Sequence, residues 1–147
     1  MSNFNLSKRG KVTRVIDAIV AGTSGQNGTT IDMKGFDSVL FITSFGVITT
    51  NAVTSVNLAT SSDDSNWNDL IGSKIVVADD DDTSVTVHDV NAPLERYIRV
   101  EVARATQNAV IDGCVCIQYN AQASPTTHDA TTVIGAEFYA SPAEGTA

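Results

Sequence analysis

The sequence predicts an all-β fold, an antiparallel β-sandwich of jelly-roll type with about eight strands. Three observations carry this prediction: short runs of alternating apolar and polar residues, turn-forming residues between these runs, and the lack of a convincing amphipathic helix. The chain has 147 residues, 42% hydrophobic and 18% charged, so one domain can enclose its own core. We assign the sandwich to residues 12–120, between a basic N-terminal arm (1–11) and an extended C-terminal arm (121–147).

The first run of the sandwich, VTRVIDAIVAG (12–22), is compatible with two structures. Its apolar residues follow helical spacing, and Gly22 could end a helix. Against this, five β-branched aliphatic residues within nine positions favour a strand. We predict a strand here and keep a helix as the alternative.

The run SVLFIT (38–43) has four consecutive apolar residues, which is typical of a central strand covered on both faces. The runs TTIDM, KIVVA and TSVTVHDV add three further strands. In the last of these, His88 lies on the opposite face from Val85 and Val87. We therefore expect the imidazole to face solvent.

Three runs alternate clearly enough to assign one face of each to the core. They are VTSVNLAT (53–60), RYIRVEVA (96–103) and VIDGCVCIQY (110–119). The predicted core residues are Val56 and Leu58 in the first run, Ile98 and Val100 in the second, and Ile117 in the third, where it shares a face with Ile111, Val115 and Tyr119.

The single tryptophan, Trp67, follows the turn-forming stretch SSDDSN. Asp63 and Asp64 favour a turn because short carboxylates hydrogen-bond their own backbone. Trp67 then precedes Leu70 and Ile71, so we expect the indole to be a core residue packed against them. The alternative is a ligand site, in which the ring and the surrounding acids bind a sugar or a metal.

The net charge of −8 is unevenly distributed. Lys8, Arg9, Lys11 and Arg14 give the first fourteen residues a charge of +4, whereas the rest of the chain holds five bases and seventeen acids. An acidic body argues against binding nucleic acid, and the basic arm fits an acidic protein partner better. No apolar run approaches the roughly 20 residues that span a bilayer, and the N-terminus lacks the apolar stretch of a secretory signal.

The sequence holds no motif typical of an enzyme, a phosphate loop or a zinc site. Cys114 and Cys116 would lie on one face of a strand, about 6.6–6.8 Å apart and too distant for a disulfide. We expect two reduced thiols, compatible with assembly in a reducing cytoplasm. The acids Asp79–Asp82 could attract Ca²⁺, but adjacent residues rarely aim at one point, so we expect a solvated loop. The prediction is no catalytic residue, no cofactor and no metal.

Two short pieces resemble a known kind of sugar-binding domain. The stretch SSDDSNW, followed by RYIRV, is similar to the discoidin-type carbohydrate-binding sandwiches, which pair such a turn with such a strand. The other aromatic and basic residues of those sugar sites have no counterparts here. The resemblance implies the sandwich more than the sugar.

A second resemblance covers nearly the whole chain. The segments TIDMKGFDSVLFITSFG, RYIRVEVARATQNAVID, DGCVCIQY and SPAEGTA look like those of a family of small tailed-bacteriophage and prophage proteins. That family resembles capsid decoration (cement) proteins, jelly-roll-like modules on the outside of the phage head. The resemblance implies a structural protein of the virion, on the outer surface of the capsid, and identifies no active residue.

Together these features predict a protein that binds the assembled capsid from outside and cements neighbouring major-capsid subunits. Its partners would be the major capsid protein and itself, as a dimer in preference to a trimer, without nucleic acid or membrane. The alternatives are a carbohydrate- or host-surface-binding module on the virion, and a tail or head–tail joining component. The residues expected to contact the capsid or another subunit are Phe4, Leu6, Lys8, Arg9, Lys11, Arg14, Val133, Ile134, Phe138 and Tyr139.

Overall fold

The regular structure consists of eleven β-strands and one turn of 3-10 helix, within the residues 5–146 that the computed structural model describes. The 3-10 turn is Leu6–Lys8. The strands are β1 (Lys11–Ile16), β2 (Ile19–Gly22), β3 (Gln26–Asn27), β4 (Ile31–Asp32), β5 (Phe36–Ile48), β6 (Val53–Ser61), β7 (Asn68–Asp69), β8 (Ile75–Val77), β9 (Val85–Asn91), β10 (Tyr97–Ala105) and β11 (Ala109–Ala121). None of the described residues forms a helix that is long and apolar enough to cross a membrane.

The strands form two antiparallel sheets. Sheet A has the order β1-β11-β5-β9, and β2 extends the β1 side of β11. Sheet B has the order β3-β10-β6-β7, and β4 and β8 extend the outer strands in the same way. When each interrupted strand is counted once, eight strands remain, and the first pairs with the last in a jelly-roll order. The predicted all-β antiparallel sandwich is confirmed.

The ambiguous run at residues 12–22 forms strands rather than a helix. β1 and β2 pair one after the other with β11, and Asp17 and Ala18 lie between them. The β-branched side chains of this run fit a pleated, half-buried surface better than a helix. Val15 and Ile16 are buried at 4% and 5% exposure.

The core lies between the two sheets, where alternate side chains of facing strands meet. Phe41 and Phe45 of β5 are its largest members, at 0% and 1% exposure. Burial of each such ring is worth roughly 2–3 kcal/mol of transfer free energy. Of the residues that the sequence assigns to the core, those on β6 and β10 are at most 1% exposed, namely Val56, Leu58, Ile98 and Val100.

Ile117 is not a core residue, and this corrects the prediction for β11. The pairing of β11 with β5 shifts between Ile111 and Gly113, where Gly113 has a φ of +138°. The extra residue of a bulge reverses which side chains face inward. Beyond it Cys114 and Cys116 point into the core, while Ile117 lies partly exposed on the outer face of sheet A. A side chain at Gly113 would place its Cβ 3.1 Å from the Ile16 carbonyl oxygen.

His88 also faces the opposite way from the prediction. Its side chain is buried at 7% exposure, whereas Val85 and Val87 are 58% and 52% exposed on the outer face of β9. The imidazole Nε2 lies 2.6 Å from the Ser73 carbonyl oxygen, in the loop between β7 and β8. The alternation in β9 is therefore as expected, but a hydrogen bond between the sheets keeps the polar ring inside.

A buried arginine connects the sheets at one end of the sandwich. Arg104 of β10 is 6% exposed, and its guanidinium donates to the carbonyl oxygens of Val20 (3.0 Å), Ser24 (2.7 Å) and Ala109 (2.6 Å). Burial lowers the pKa of Arg104 from its ordinary value. Because Val20 and Ala109 belong to sheet A, this side chain fixes the ends of both sheets relative to each other.

Candidate interaction surfaces

The N-terminal residues expected at an interface lie at the β1 edge of sheet A. Leu6 and Lys8 are in the 3-10 turn, where Leu6 is 68% exposed. Lys11 and Arg14 are in β1, and Arg9 precedes that strand. Phe4 lies outside the described residues. The basic residues thus follow the first edge strand instead of extending away from the domain.

The first half of the C-terminal segment, residues 122–133, runs along the same edge of β1. Asp129 N donates to the Val12 carbonyl at 3.1 Å, and Val12 N donates to His128 Nδ1 at 2.9 Å. The further bonds are Thr126 N to Lys8 O (2.9 Å), Thr126 Oγ1 to Gly10 O (2.6 Å) and Arg14 N to Thr132 Oγ1 (3.1 Å).

The sequence predicts an extended arm here, and the structure shows that residues 126–132 of this arm bond to the β1 edge of their own chain. Side chains such as His128 and Thr132 replace backbone groups in the pairing, so no strand pattern reveals it. An uncovered edge strand presents unpaired N–H and C=O groups to other chains. The segment therefore protects the β1 edge of sheet A.

The second half of the segment carries large apolar side chains on the surface. Ile134 is 108% exposed, Phe138 44% and Tyr139 58%, while Val133 is partly buried. Residues 5–8 contact this part of the segment: the Lys8 ammonium lies 5.8 Å from the centre of the Phe138 ring, and Asn5 Nδ2 donates to the Tyr139 carbonyl at 3.0 Å. The structure thus places residues from both predicted arms in one area.

Two charged side chains at this edge, Arg14 and Asp129, have partners within the chain. Arg14 Nε is 3.3 Å from Asp17 Oδ1, with both side chains well exposed. The hydroxyls of Thr132 and Thr131 donate to Asp129 and lower the pKa of its carboxyl group. Solvent screens such exposed pairs, so they orient the edge more than they stabilise it.

Trp67 lies on the outer face of sheet B, which corrects its assignment to the core. Asp63 organises the preceding turn: its carboxylate accepts the backbone N–H groups of Ser65 (2.9 Å) and Asn66 (2.8 Å), which hold its pKa far below the ordinary value. The turn delivers the indole to Arg99 of β10, whose Cζ is 4.2 Å from the ring centroid. The ring is partly exposed, because a cation above it replaces the apolar packing that we expected.

The remaining side chains expected near Trp67 do not surround it. Ile71 is fully exposed, and Leu70 packs against the edge of the core. Arg99 instead donates two hydrogen bonds to Glu101 Oε1, at 2.6 and 2.8 Å. Trp67, Arg99 and Glu101 form a row on the polar outer face of sheet B.

The acids at residues 79–82 act as hydrogen-bond acceptors for neighbouring backbone. Asp82 Oδ1 accepts from Ile48 N (2.7 Å) and Asp79 Oδ2 from Asn51 N (2.6 Å), so both carboxylates hold the turn between β5 and β6. Asp81 accepts from Ala78 N within the loop itself. The loop is mostly exposed, as predicted, but it also organises its neighbour. Within residues 5–146, no group of three or more His, Cys, Asp or Glu side chains is arranged to hold a metal.

Both cysteines are unpaired thiols inside the sandwich. Burial raises the pKa of Cys114 to about 11 and that of Cys116 further. Thr43 Oγ1 lies 3.2 Å from Cys114 Sγ. Thiols of this kind are poor nucleophiles, because the reactive form is the thiolate.

Comparison with known proteins shows similar folds and no matching family. No known protein family matches the chain, and no curated protein does. Among solved structures, the PBSX exported protein XepA is similar over 95% of this chain and 46% of its own, at 15% identity and a TM-score of 0.52. A chain from the disulfide-linked pili of Bacillus endospore appendages covers 81% of this chain and 93% of its own, at 14% identity and a TM-score of 0.46.

The similarity to XepA concerns the fold. The chain spans slightly less than half the length of XepA. At 15% identity the similarity concerns the backbone fold and does not extend to the surface residues. The sandwich is therefore an architecture that a known structure shares, and function must be argued from the surfaces of this chain.

Proposed function

We propose that this chain is a structural protein of a phage virion, which binds the outside of the assembled capsid and cements neighbouring major-capsid subunits. The observation that carries the proposal is the C-terminal tail, residues 134–146, with Ile134, Phe138 and Tyr139 on the surface. Exposed aromatic and aliphatic side chains in an extended segment bind partners by burying apolar area when they dock.

The rest of the molecule fits a binding role. The 3-10 turn and the tail lie together at one edge of sheet A, where Lys8 is close to Phe138. Lys8 lies beside this tail and, with the other basic residues of the N-terminal region, offers charge complementarity to an acidic partner. The phage origin of XepA, one of the similar folds, agrees with a place among phage proteins.

The proposal is tested by adding purified protein to undecorated heads of the phage and measuring how much protein sediments with them. A variant lacking residues 134–147 keeps the segment that covers β1, so we expect it to fold and to bind heads poorly. A matched control lacks only residues 141–147 and keeps Phe138 and Tyr139; it should bind like the full chain. Full occupancy by the longer truncation would remove the tail from the binding mechanism.

A second candidate function is glycan binding on the virion surface, which the surface position of Trp67 favours. Aromatic rings flanked by polar side chains are typical of sugar-binding faces, and here Arg99 and Glu101 lie beside the ring. The Arg99 guanidinium already covers one face of the indole, which limits stacking to the other face.

Glycan binding is distinguished from capsid binding with the Trp67→Ala variant. Under the capsid proposal, this variant decorates heads normally and neither form binds a glycan array. Glycan binding by the full chain that disappears in Trp67→Ala would establish the second function.

A further inference from the structure

The outer face of sheet A carries apolar side chains in register across four strands. One row consists of Arg14, Val115, Ile42 and Val87, on β1, β11, β5 and β9 in that order. The next row consists of Val12, Ile117, Leu40 and Asp89 on the same strands. We call the six apolar members of these rows the sheet A patch.

The patch is exposed, and the opposite face of the molecule differs from it. Val87 and Val115 are 52% and 38% exposed, and the other four members are partly exposed. On sheet B the corresponding outer positions hold Asn57, Arg99 and Glu101. An antiparallel sheet with one solvated face normally alternates apolar and polar residues, as sheet B does. In sheet A, apolar residues on both faces indicate that a further layer covers the outer one.

No described part of the chain supplies that layer. The C-terminal segment bonds to the outward backbone groups of Val12 and Arg14, and so follows the edge of β1 rather than its face. Tyr119 covers only the margin of the patch. Its hydroxyl donates to Asp89 Oδ1 at 2.5 Å and so connects β11 with β9. The patch itself stays open between these two boundaries.

The two charges of the patch rows lie on opposite sides. Arg14 is on β1 at one edge, and Asp89 is on β9 at the other, one row further along. A two-fold axis parallel to the strands would lay β1 of one copy across β9 of the other. Arg14 of one copy would then lie opposite β9 of the other copy, about 7 Å along the strand direction from Asp89 of that copy. An arginine side chain can reach across this distance. A two-fold axis across the strands would instead set Arg14 against Arg14.

The patch has the size of a weak, reversible contact. Its two rows lie about 7 Å apart on four strands that are about 4.8 Å from one another, so with its side chains the patch covers roughly 20 Å by 10 Å. This area is below that of a standard specific interface, about 800 Å² per partner, as is typical of weak and transient contacts. Ile42, Gly113 and Val115 line an open depression beside the patch, which a partner side chain can enter.

We propose that a second copy of this chain covers the sheet A patch, in a symmetric face-to-face dimer whose apolar centre is flanked by two Arg14–Asp89 pairs between subunits. An interface of this type is isologous, so each contact occurs twice. The inference does not rest on capsid binding, because the purified chain alone forms the dimer.

The dimer is tested by sedimentation equilibrium of the full-length chain over a wide concentration range. Arg14→Glu and Asp89→Arg should each weaken the dimer at least about tenfold, because each places like charges together twice. The double variant restores the opposite charges in exchanged positions, so its dissociation constant should return to within about threefold of the original. Restoration of this kind requires the two residues to meet.

The apolar centre is tested separately with Val115→Asp, which should give a monomer at all accessible concentrations. The matched control is Val53→Asp, since Val53 is 60% exposed on β6 of the other sheet and should leave the dimer unchanged. Thermal melting of each variant within a few degrees of the original shows that the fold is intact. A monomeric original protein, a dimer that survives Val115→Asp, or a double variant without restoration would each overturn the proposal.

Discussion

At the residue scale, Trp67 is a large aromatic side chain that packs on the surface of sheet B instead of in the core. The Asp63 turn brings the indole to Arg99, and Glu101 holds the guanidinium in place. A stack of this kind is worth about 0.5–2 kcal/mol, less than the burial of a whole ring between two sheets. The contribution of Trp67 is therefore to attach the β6–β7 turn to sheet B.

Replacing Trp67 with alanine should lower the free energy of unfolding by about 1–2 kcal/mol, because mainly the cation–π stack and partial burial are lost. Phe41→Ala is the comparison, since Phe41 is 0% exposed and its loss should cost about 3–5 kcal/mol. Urea unfolding followed by circular dichroism measures both values. Equal losses in the two variants would show that Trp67 carries core packing after all.

Two carboxyl groups with lowered pKa values should make the free energy of unfolding depend on pH. The Arg96 guanidinium, bonded to Asp32 at 2.8 and 2.9 Å, lowers the pKa of Asp32 to about 2, and backbone N–H groups lower that of Asp63 further. A carboxyl group whose pKa is lower in the folded state stabilises the fold above its unfolded pKa, near 4, and that stability is lost as the pH falls. Stability should thus decrease below about pH 4.

The measurement is the urea midpoint between neutral pH and pH 2. In Asp63→Asn, which keeps the side-chain shape but removes the titrating group, the decrease below pH 4 should be smaller. An unchanged decrease in this variant would assign the effect to other carboxylates.

At the element scale, the C-terminal segment is the feature that completes sheet A. Residues 126–132 satisfy the outward backbone groups of Val12 and Arg14 through one backbone bond and two side-chain acceptors. Without them β1 would be an open edge strand next to a face that already carries the sheet A patch. Open apolar edges favour association with other chains.

Deleting residues 122–147 should therefore lower the melting temperature and cause aggregation, whereas deleting 134–147 should do neither. The physical difference is the set of hydrogen bonds along β1, which only the longer deletion removes. Thermal melting and light scattering of the two proteins test this. Identical behaviour of both truncations would mean that the docked segment does not protect the edge.

The elements also show which parts of this structure sequence can predict. Alternation in residues 53–60 and 96–103 identifies two central strands and their buried faces, because nothing interrupts their pairing. The same reasoning fails in β11, where the bulge at Gly113 reverses the pattern and moves Ile117 outside. A single glycine in a strand indicates such a bulge. Assigning faces by alternation alone ignores the extra residue, so every side chain after the bulge is assigned to the wrong face.

The surface residues are harder to predict than the strands. Val12, Ile42 and Val115 come from different runs of the sequence. The strand order alone places Ile42 and Val115 in one row and Val12 in the adjacent row. The apolar run at residues 38–43 does carry a signal, since it predicts a strand covered on both faces. What covers the second face depends on assembly, which local patterns do not encode.

At the scale of the whole molecule, three surfaces have different characters. Sheet A presents the apolar patch, sheet B presents a polar face with Trp67, and the β1 edge presents the tail with Ile134, Phe138 and Tyr139. A dimer through the sheet A patch would leave the tails of both copies free to reach neighbouring capsid subunits. This division of tasks is how a small sandwich could hold adjacent subunits together.

The measurement that tests the central proposal most directly is an averaged electron-microscopy map of the virion, together with the number of copies per particle. A capsid decoration protein should occupy the outer shell at a repeated symmetry position in hundreds of copies, with density for the tail entering a junction between major-capsid subunits. Density at the tail or the head–tail joint in about a dozen copies, or the absence of this chain from the outer shell, would contradict the account.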